Sequence, residues 1–209
     1  MFNVCENCGQ YRADKAIETH GEDSFAVCPE CGFRRRFLRL PLFIVGGASG
    51  TGKSAVCLRL AGRLSEAVVL ESDVLWMDAF ADPEQYPVYF DLWLRMAKNI
   101  AQSGRPVLLF GAGLGVPANI EPRIERRYFS RVHYLALVCD EAQLAARLRA
   151  RPAWRHADAD AWIAGQVDFN RWYREEAPHG QPAVDLLDTT RASVTETAEQ
   201  VSAWLRRSL

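Results

Sequence analysis

The sequence predicts an α/β fold, a doubly wound parallel sheet of five strands, with a small module at its N-terminus. From residue 42 onward, short apolar runs alternate with helical patterns, as in βαβ units whose crossovers cover both faces of a parallel sheet. Before residue 40 the chain is polar, rich in turns and contains four of the six cysteines. We therefore predict a module at residues 1–36, a linker at 37–41 and the α/β domain at 42–209.

Each apolar run lies between turn signals or helical patterns. The runs are predicted as strands at 42–45, 67–70, 107–110, 132–138 and 184–187. Helices are predicted at about 53–64 and 87–103, after Asp140, from Asp158 to about 176, and after Ser193. Asp140 and Asp158 are candidate caps, and Ser193 with Glu196 has the spacing of a capping box.

Composition sets limits on function. The chain has 209 residues, 49% of them apolar and 24% charged, which suits one ordinary domain with a small module. A net charge of −1 favours neither nucleic acid nor an anionic membrane as a partner. No run approaches the ~18 apolar residues of a membrane span, and the first ten residues do not form a secretory apolar region, so we expect a cytoplasmic protein.

A phosphate-binding motif follows the first strand of the α/β domain. The eight residues fit the pattern G-x-x-x-x-G-K-[ST] and lie between a predicted strand and a predicted helix: Gly47, Ala48, Ser49, Gly50, Thr51, Gly52, Lys53 and Ser54. The glycines let backbone N–H groups converge on phosphate oxygens at a helix N-terminus. Lys53 would contact the β- and γ-phosphates and Ser54 would bind Mg²⁺, so the motif predicts ATP and Mg²⁺ as cofactors.

A carboxylate follows the second strand. Asp73 lies at the C-terminal edge of the predicted sheet, where ligands bind in open α/β folds. It is a candidate to orient or deprotonate an acceptor hydroxyl, although it would also suit the cap of the next turn. Asp78 is a weaker second candidate.

Arginines recur at intervals of four after the fourth strand. Arg147, Arg151 and Arg155 share a helical spacing, with Arg149 between them. One basic face could close on a triphosphate and offset the charge that develops during transfer, and Arg151 and Arg155 are the better candidates. A solvated basic helix face is the alternative.

These features resemble the small P-loop kinases of the nucleoside monophosphate kinase type. The resemblance covers about residues 42–209 and rests on the loop 47–54, Asp73, the arginines of 147–155 and the terminal Asp188-Thr189-Thr190. Leu64-Ser65-Glu66, leading through Val68 and Val69 to Asp73, is similar to the chloramphenicol phosphotransferase branch. The resemblance implies that Asp73 is the catalytic base and that Asp188 and Thr189 lie near the adenine ring, although Asp188 and Thr189 also suit an ordinary strand end.

Other features depart from that pattern or allow two interpretations. The third strand leads into Gly111, Gly113 and Gly115 and lacks the acidic residue that often contacts Mg²⁺ there. Arg123, Arg126 and Arg127 could hold the phosphate of a mononucleotide acceptor, but a solvated face is the commoner case. The aromatic residues could line an acceptor pocket or belong to the core, and we expect most of them to be core: Trp76, Phe80, Tyr86, Tyr89, Phe90, Trp93, Phe169, Trp172 and Tyr173.

The N-terminal module contains two Cys-x-x-Cys-Gly knuckles. Their cysteines, Cys5, Cys8, Cys28 and Cys31, have the spacing of a four-cysteine zinc ribbon. Four thiolates close the tetrahedral shell, so we predict a structural Zn²⁺; redox pairs or free thiols are the alternative. Cys57 and Cys139 are predicted to be buried apolar residues. The arginines at 34, 35, 36 and 39 permit a nucleic-acid contact, but ribbons also dock proteins.

The sequence thus predicts an ATP-dependent phosphotransferase. Its partners would be ATP and a small-molecule acceptor with a hydroxyl, such as a nucleoside, sugar or antibiotic. A nucleoside monophosphate kinase is the first alternative. The second is a nucleotide-dependent factor that uses the ribbon to bind nucleic acid or protein; a nucleic-acid partner is permitted but not favoured.

Overall fold

A computed structural model describes residues 2–152 and 160–209 of the chain. The N-terminal module forms a three-stranded antiparallel sheet of β1 (Ala16–His20), β2 (Asp23–Val27) and β3 (Arg34–Phe37), with β2 in the middle. The β1–β2 turn contains Gly21, whose φ of +61° suits a tight hairpin. β3 extends to the buried Phe37, so the sheet of the N-terminal module runs one residue into the predicted linker. We call this module, with its sheet β1–β3, the ribbon.

The α/β domain has a five-stranded parallel sheet in the order β5-β6-β4-β7-β8. Its strands are β4 (Leu42–Gly46), β5 (Val68–Glu71), β6 (Val107–Phe110), β7 (Val132–Val138) and β8 (Asp185–Asp188). The predicted fold class and all five predicted strands are confirmed. β4 is central, and its neighbours β6 and β7 continue to opposite sides, so the crevice for a ligand lies at the carboxyl end of β4.

Helices cover both faces of this sheet. They are α1 (Lys53–Leu60), α2 (Tyr86–Ala101), α3 (Pro117–Ile120), α4 (Glu141–Arg149), α5 (Asp160–Glu175) and α6 (Val194–Arg207). In β4, Ile44 faces a core with α2, whereas Phe43 faces a core with α1 and α6. Both side chains are completely buried, as expected for a central parallel strand.

Capping explains most helix boundaries. Asp140 accepts a hydrogen bond from the Gln143 backbone (3.1 Å), and Ser193 and Glu196 form the predicted capping box. α1 ends at Leu60, four residues earlier than predicted, because the chain turns at Gly62, which has a φ of +72°. The predicted cap Asp158 lies outside the described residues. None of the helices in the two described ranges is long and apolar enough to cross a membrane.

A buried polar cluster joins the ribbon to the α/β domain. Lys98 on α2 and Glu125 in the turn before β7 form an ion pair, with side chains 0% and 4% exposed. The Lys98 ammonium also donates to the side-chain oxygen of Asn3, and the Asn3 amide donates to Glu125 (2.9 Å). Burial lowers the pKa of Lys98 to about 8, and the charge of Glu125 opposes that shift.

Apolar and backbone contacts surround this cluster. The rings of Phe2 and Phe37 pack edge to face on Tyr128, whose hydroxyl donates to the backbone of Ala13 (2.6 Å). The Gln102 side chain accepts from the Leu38 N–H (2.9 Å) and donates to the Leu38 carbonyl (3.0 Å). The ribbon is thus packed against the α/β domain through a buried interface.

Replacing Glu125 with alanine is expected to lower the free energy of unfolding by roughly 3–5 kcal/mol, because the buried Lys98 ammonium loses its counter-charge. The double variant Lys98→Met/Glu125→Leu is the matched control and should lose less than Glu125→Ala alone, since it buries no unpaired charge. Urea unfolding of the three proteins measures both effects. A loss below about 1 kcal/mol in Glu125→Ala would contradict the assigned role of the ion pair.

Candidate active site

The loop after β4 has the shape of a phosphate cradle. Gly47 has a φ of +128°, and a Cβ there would lie 2.3 Å from the Leu137 carbonyl oxygen, so only glycine fits. The Thr51 hydroxyl is buried and donates to the Ala48 carbonyl (2.9 Å), which fixes the curl of the loop. Five of the eight motif residues line a cavity of about 390 Å³: Ser49, Gly50, Gly52, Lys53 and Ser54.

Lys53 is the first residue of α1 and its ammonium lies inside the curl. It donates to the carbonyl oxygens of Gly47 (2.8 Å) and Ala48 (2.9 Å). Desolvation lowers the pKa of Lys53 to about 8, and the nearby carboxylates of Asp73 and Glu71 oppose the shift. A polyphosphate in the cavity would add negative charge beside the ammonium and so favour its charged form.

The ends of the neighbouring strands complete the cavity. Glu71 and Asp73 contribute carboxylates from the end of β5, opposite the loop. Phe110 ends β6, Gly111 and Ala112 follow it, and all three line the same cavity. Among these, Glu71 received no role from sequence reasoning, although its position as the last residue of β5 places it beside Asp73.

Two predicted arginines line the same cavity from the end of α4. Arg147 and Arg151 both face it, whereas Arg149 points elsewhere and pairs with Asp160 at 3.8 Å. This is the shared face that the spacing of four predicts. Arg147 is also held in place, since its guanidinium donates to the carbonyl of Thr189 (2.7 Å). The third member of the series, Arg155, lies outside the described residues.

The segment after β8 borders the other side of the loop. Thr189 is buried, its hydroxyl donates to the Thr51 carbonyl (3.0 Å), and it lines a cavity of about 290 Å³ with Arg147 and Val194. Asp188 differs, because its carboxylate accepts from the Thr190 N–H (2.7 Å); hydrogen bonds from the side chain and then the backbone of Thr190 lower the pKa of Asp188. Asp188 lines neither of these two cavities, so its contact is with the turn itself.

A third cavity, of about 260 Å³, adjoins the phosphate cavity, and Asp73 and Ala112 line both. The other residues around it come from the turn after β5, from α2 and from the loop after β6: Ser72, Trp76, Tyr86, Tyr89, Phe90, Gly113 and Asn119. Four of the aromatic residues that allowed either interpretation therefore border a pocket. Phe80 and Trp93 lie in the core, as expected.

Close packing explains the glycines after β6. A Cβ on Gly115 would lie 2.4 Å from the Cα of Gly46, so the two backbones touch where β4 enters the loop. A Cβ on Gly113 would lie 3.3 Å from the Phe90 ring and would crowd the third cavity. Gly115 thus permits close packing of two backbones, whereas Gly113 leaves room in the third cavity.

Besides Glu71, sequence reasoning missed two residues of the site. Gln166 on α5 accepts from the Ser49 N–H (2.8 Å) and so supports the crest of the loop. Asn119 on α3 donates to the Gly113 carbonyl (2.8 Å) and lines the third cavity. An amide side chain on a helix carries no signal of either contact in the sequence.

The four knuckle cysteines converge at the end of the ribbon. Their sulfur atoms all lie within 4.8 Å of one another, with Cys5–Cys31 at 3.7 Å and Cys8–Cys28 at 3.8 Å. Zinc–sulfur bonds of about 2.3 Å separate tetrahedral thiolates by about 3.8 Å, so the cluster fits Zn²⁺. Cys57 and Cys139 are buried elsewhere, as predicted.

The arginines of the ribbon are already paired with acidic residues. Arg34 contacts Glu18 (2.7 Å), and Arg35 contacts Glu6 (2.8 Å). Arg36 contacts Asp23 (2.5 Å). These pairs neutralise most of the positive charge that would attract a nucleic acid.

The parallel sheet, the loop after β4 and the flanking helices define a P-loop kinase fold. Residues 42–175, more than half of the chain, match a protein-family model described as an AAA domain, and the chain belongs to that family. A comparison with curated proteins gives no match.

Solved structures share this fold at low sequence identity. A gluconokinase from Sinorhizobium meliloti 1021 is 20% identical with a TM-score of 0.55, covering 81% of this chain and 93% of its own. A shikimate kinase from Acinetobacter baumannii is 15% identical with a TM-score of 0.55, covering 81% and 94%. The tunicamycin resistance protein of Deinococcus radiodurans is 18% identical with a TM-score of 0.54, covering 80% and 96%. At these identities the similarity shows the fold alone.

Proposed function

We propose that this protein is an ATP-dependent phosphotransferase that moves the γ-phosphate to a hydroxyl of a small molecule. The observation that carries the proposal is the junction of two cavities at one carboxylate. Asp73 lines the cavity that contains Lys53 and also lines the aromatic cavity beside it. A phosphate in the first and a hydroxyl in the second would meet at Asp73, which is the geometry that in-line transfer requires.

The phosphate cavity has the groups that such a transfer needs. The N–H groups of the loop and the N-terminus of α1 would bind the phosphates, with Lys53 between them. Ser54 and the carboxylates of Glu71 and Asp73 offer the oxygen ligands that Mg²⁺ prefers. Mg²⁺ would neutralise charge on the β- and γ-phosphates. Arg147 and Arg151 add positive charge at the open side of the cavity.

The nucleoside of ATP has a separate place in this proposal. The cavity on the other side of the loop is bordered by Gly50–Gly52, the apolar Val56 and Val194, and Arg147. Its aliphatic walls suit a flat base, and the guanidinium of Arg147 is fixed at its edge by Thr189. We therefore assign base binding to Thr189 and Arg147 and not to the Asp188 carboxylate.

Asp73 would orient the acceptor hydroxyl and accept its proton. Its side chain is exposed within the cavities and receives a long hydrogen bond from Ser72 (3.4 Å). No second carboxylate among the described residues lines both cavities. The proton acceptor for a hydroxyl in the aromatic cavity is therefore Asp73.

Asp73→Asn is expected to lower turnover by about 100-fold or more, while ATP affinity stays within about twofold, because the amide orients the hydroxyl but does not take its proton. Asp78→Asn, an exposed carboxylate in the next turn that lines neither cavity, is the matched control and should leave turnover unchanged. The assay follows γ-labelled ATP with nucleosides, sugars, aminoglycosides and mononucleotides. Label that appears only as free phosphate would refute the phosphotransferase; unchanged turnover in Asp73→Asn would remove Asp73 from the mechanism.

A further inference from the structure

We propose that the acceptor is an uncharged molecule with a flat, largely apolar ring and a hydroxyl, and that the aromatic cavity excludes anionic acceptors. This inference rests on the proposed phosphotransferase activity and specifies its substrate class. It depends on three features of the cavity: its aromatic walls, its single charge and the hydrogen-bonding groups that remain available.

Aromatic rings form the walls of the cavity. Tyr89 and Phe90 on α2 are 5% and 6% exposed, and their positions are fixed by the core. Trp76 and Tyr86 are 46% and 39% exposed and stand at the opening. Trp76 packs edge to face on Tyr89, with ring centroids 5.4 Å apart. Such walls bind a flat apolar body, and large exposed aromatic rings at an opening are well placed to stack on it.

Asp73 carries the only charge on the cavity wall within residues 2–152 and 160–209, and it is negative. A carboxylate or phosphate on the acceptor would therefore enter beside a like charge, and none of the described residues of the wall is a lysine or arginine that could pair with it. An anionic group would lose its hydration without compensation. The cavity favours an uncharged acceptor for that reason.

Of the three arginines that follow α3, Arg126 and Arg127 are bound to other groups. Arg126 donates to Glu121 (2.9 Å) and to the backbone of Phe129. Arg127 donates to the backbone of Ile124 (3.1 Å) and, across the interface, to the backbone of Asp14 in the ribbon (3.1 Å). Arg123, Arg126 and Arg127 do not line the cavity, so they do not form the phosphate site that a mononucleotide would need.

The lining of the cavity includes hydrogen-bond acceptors. The Tyr89 hydroxyl donates to the Ser72 carbonyl (2.7 Å), and the Asn119 amide donates to the Gly113 carbonyl (2.8 Å). The Asp73 carboxylate and the side-chain oxygen of Asn119 are acceptors among the lining residues. Both need a donor, which a hydroxyl group supplies and a carboxylate or phosphate does not.

Pairs of acceptors that differ in charge test whether the aromatic cavity excludes anions. Uridine and adenosine are compared with their 5′-monophosphates, and glucose with gluconate, in the labelled-ATP assay and by quenching of tryptophan fluorescence without ATP. We expect the uncharged nucleosides to bind at least about 100-fold more tightly than the monophosphates. Glucose, which lacks a flat ring, should bind more weakly than either nucleoside. Equal or tighter binding of the anions, or no quenching by either nucleoside, would overturn the inference.

Variants at Trp76 and Tyr86 test the assigned roles of the cavity walls. Trp76→Ala should raise the acceptor KM by about tenfold and leave the KM for ATP within about twofold, whereas Trp76→Phe should retain most of the affinity. Val74→Ala is the matched control, because Val74 is 71% exposed and lines neither cavity. Tyr86→Arg should bring the monophosphates closer to the nucleosides, since it adds the missing cation. An unchanged KM in Trp76→Ala, or unchanged discrimination in Tyr86→Arg, would overturn the wall assignments.

The two proposals fail in distinguishable ways. Transfer to a monophosphate or to gluconate in preference to the uncharged partner would overturn the acceptor class and leave the phosphotransferase intact. Selective quenching by nucleosides without transfer to any acceptor would support the cavity assignment and refute the phosphotransferase.

Discussion

Lys53→Ala is expected to lower phosphate transfer by about 10³-fold and to weaken nucleotide binding. The ammonium is the positive charge held inside the loop, and burial lowers its pKa to about 8. A polyphosphate adds negative charge beside it, and the interaction strengthens as the γ-phosphate leaves. Nucleotide affinity is measured by isothermal titration calorimetry and transfer by the labelled-ATP assay.

Arg59→Ala is the matched control for Lys53→Ala. Arg59 is exposed in the last turn of the same helix, α1, and does not line the phosphate cavity, so its loss removes a positive charge without touching the site. Nucleotide affinity and transfer should both remain within about twofold of the original protein. Circular dichroism of both variants confirms that the fold persists. Nucleotide binding and transfer that survive Lys53→Ala would overturn the assignment of the loop as the phosphate site.

Cys28→Ser is expected to abolish zinc binding and to unfold the ribbon. Beyond the cysteines, the ribbon core consists mainly of Phe2, Ala26 and Phe37 packed on Tyr128, which is too small to hold three short strands without a metal. The α/β domain has two large cores of its own on the two faces of its sheet. We therefore expect loss of one equivalent of zinc and of amide protection in β1–β3, while the loop still binds nucleotide.

Cys57→Ser is the matched control for the metal. Cys57 is buried in α1, away from the knuckles, so the variant should keep a full equivalent of zinc although its core packing changes. Elemental analysis gives the zinc content, and hydrogen exchange gives the protection of each strand. Purified protein without zinc, or Cys28→Ser with a full equivalent, would contradict the four-cysteine site.

The helix α2 connects the interface with the ribbon to the acceptor cavity. Lys98 and Gln102, which contact the ribbon, lie on α2, the helix that also carries Tyr86, Tyr89 and Phe90 into the acceptor cavity. The phenotype of Cys28→Ser should therefore be measured with both substrates, because loss of the ribbon exposes the buried end of this helix.

Local patterns in the sequence were enough to predict the order of strands and helices, the phosphate-binding loop and the cysteine cluster. Alternating apolar runs and helical periods define the order of strands and helices, since a strand buried on both faces, such as β4, must be apolar at every position. The loop was identifiable because Gly47 and Lys53 occupy positions that only those residues can serve. The cysteine spacing likewise predicted four sulfur atoms close enough for one ion.

The contacts between side chains that are far apart in the sequence became visible only in the tertiary structure. The structure places Trp76 and Tyr86 at the opening of a cavity and Trp93 in the core, although the sequence allows a pocket or a core position for all three. The charge of a pocket depends in the same way on partners from other elements. Arg127 donates to the ribbon backbone and so does not serve an acceptor, and no local pattern carries that contact, because Asp14 lies more than a hundred residues away in the chain.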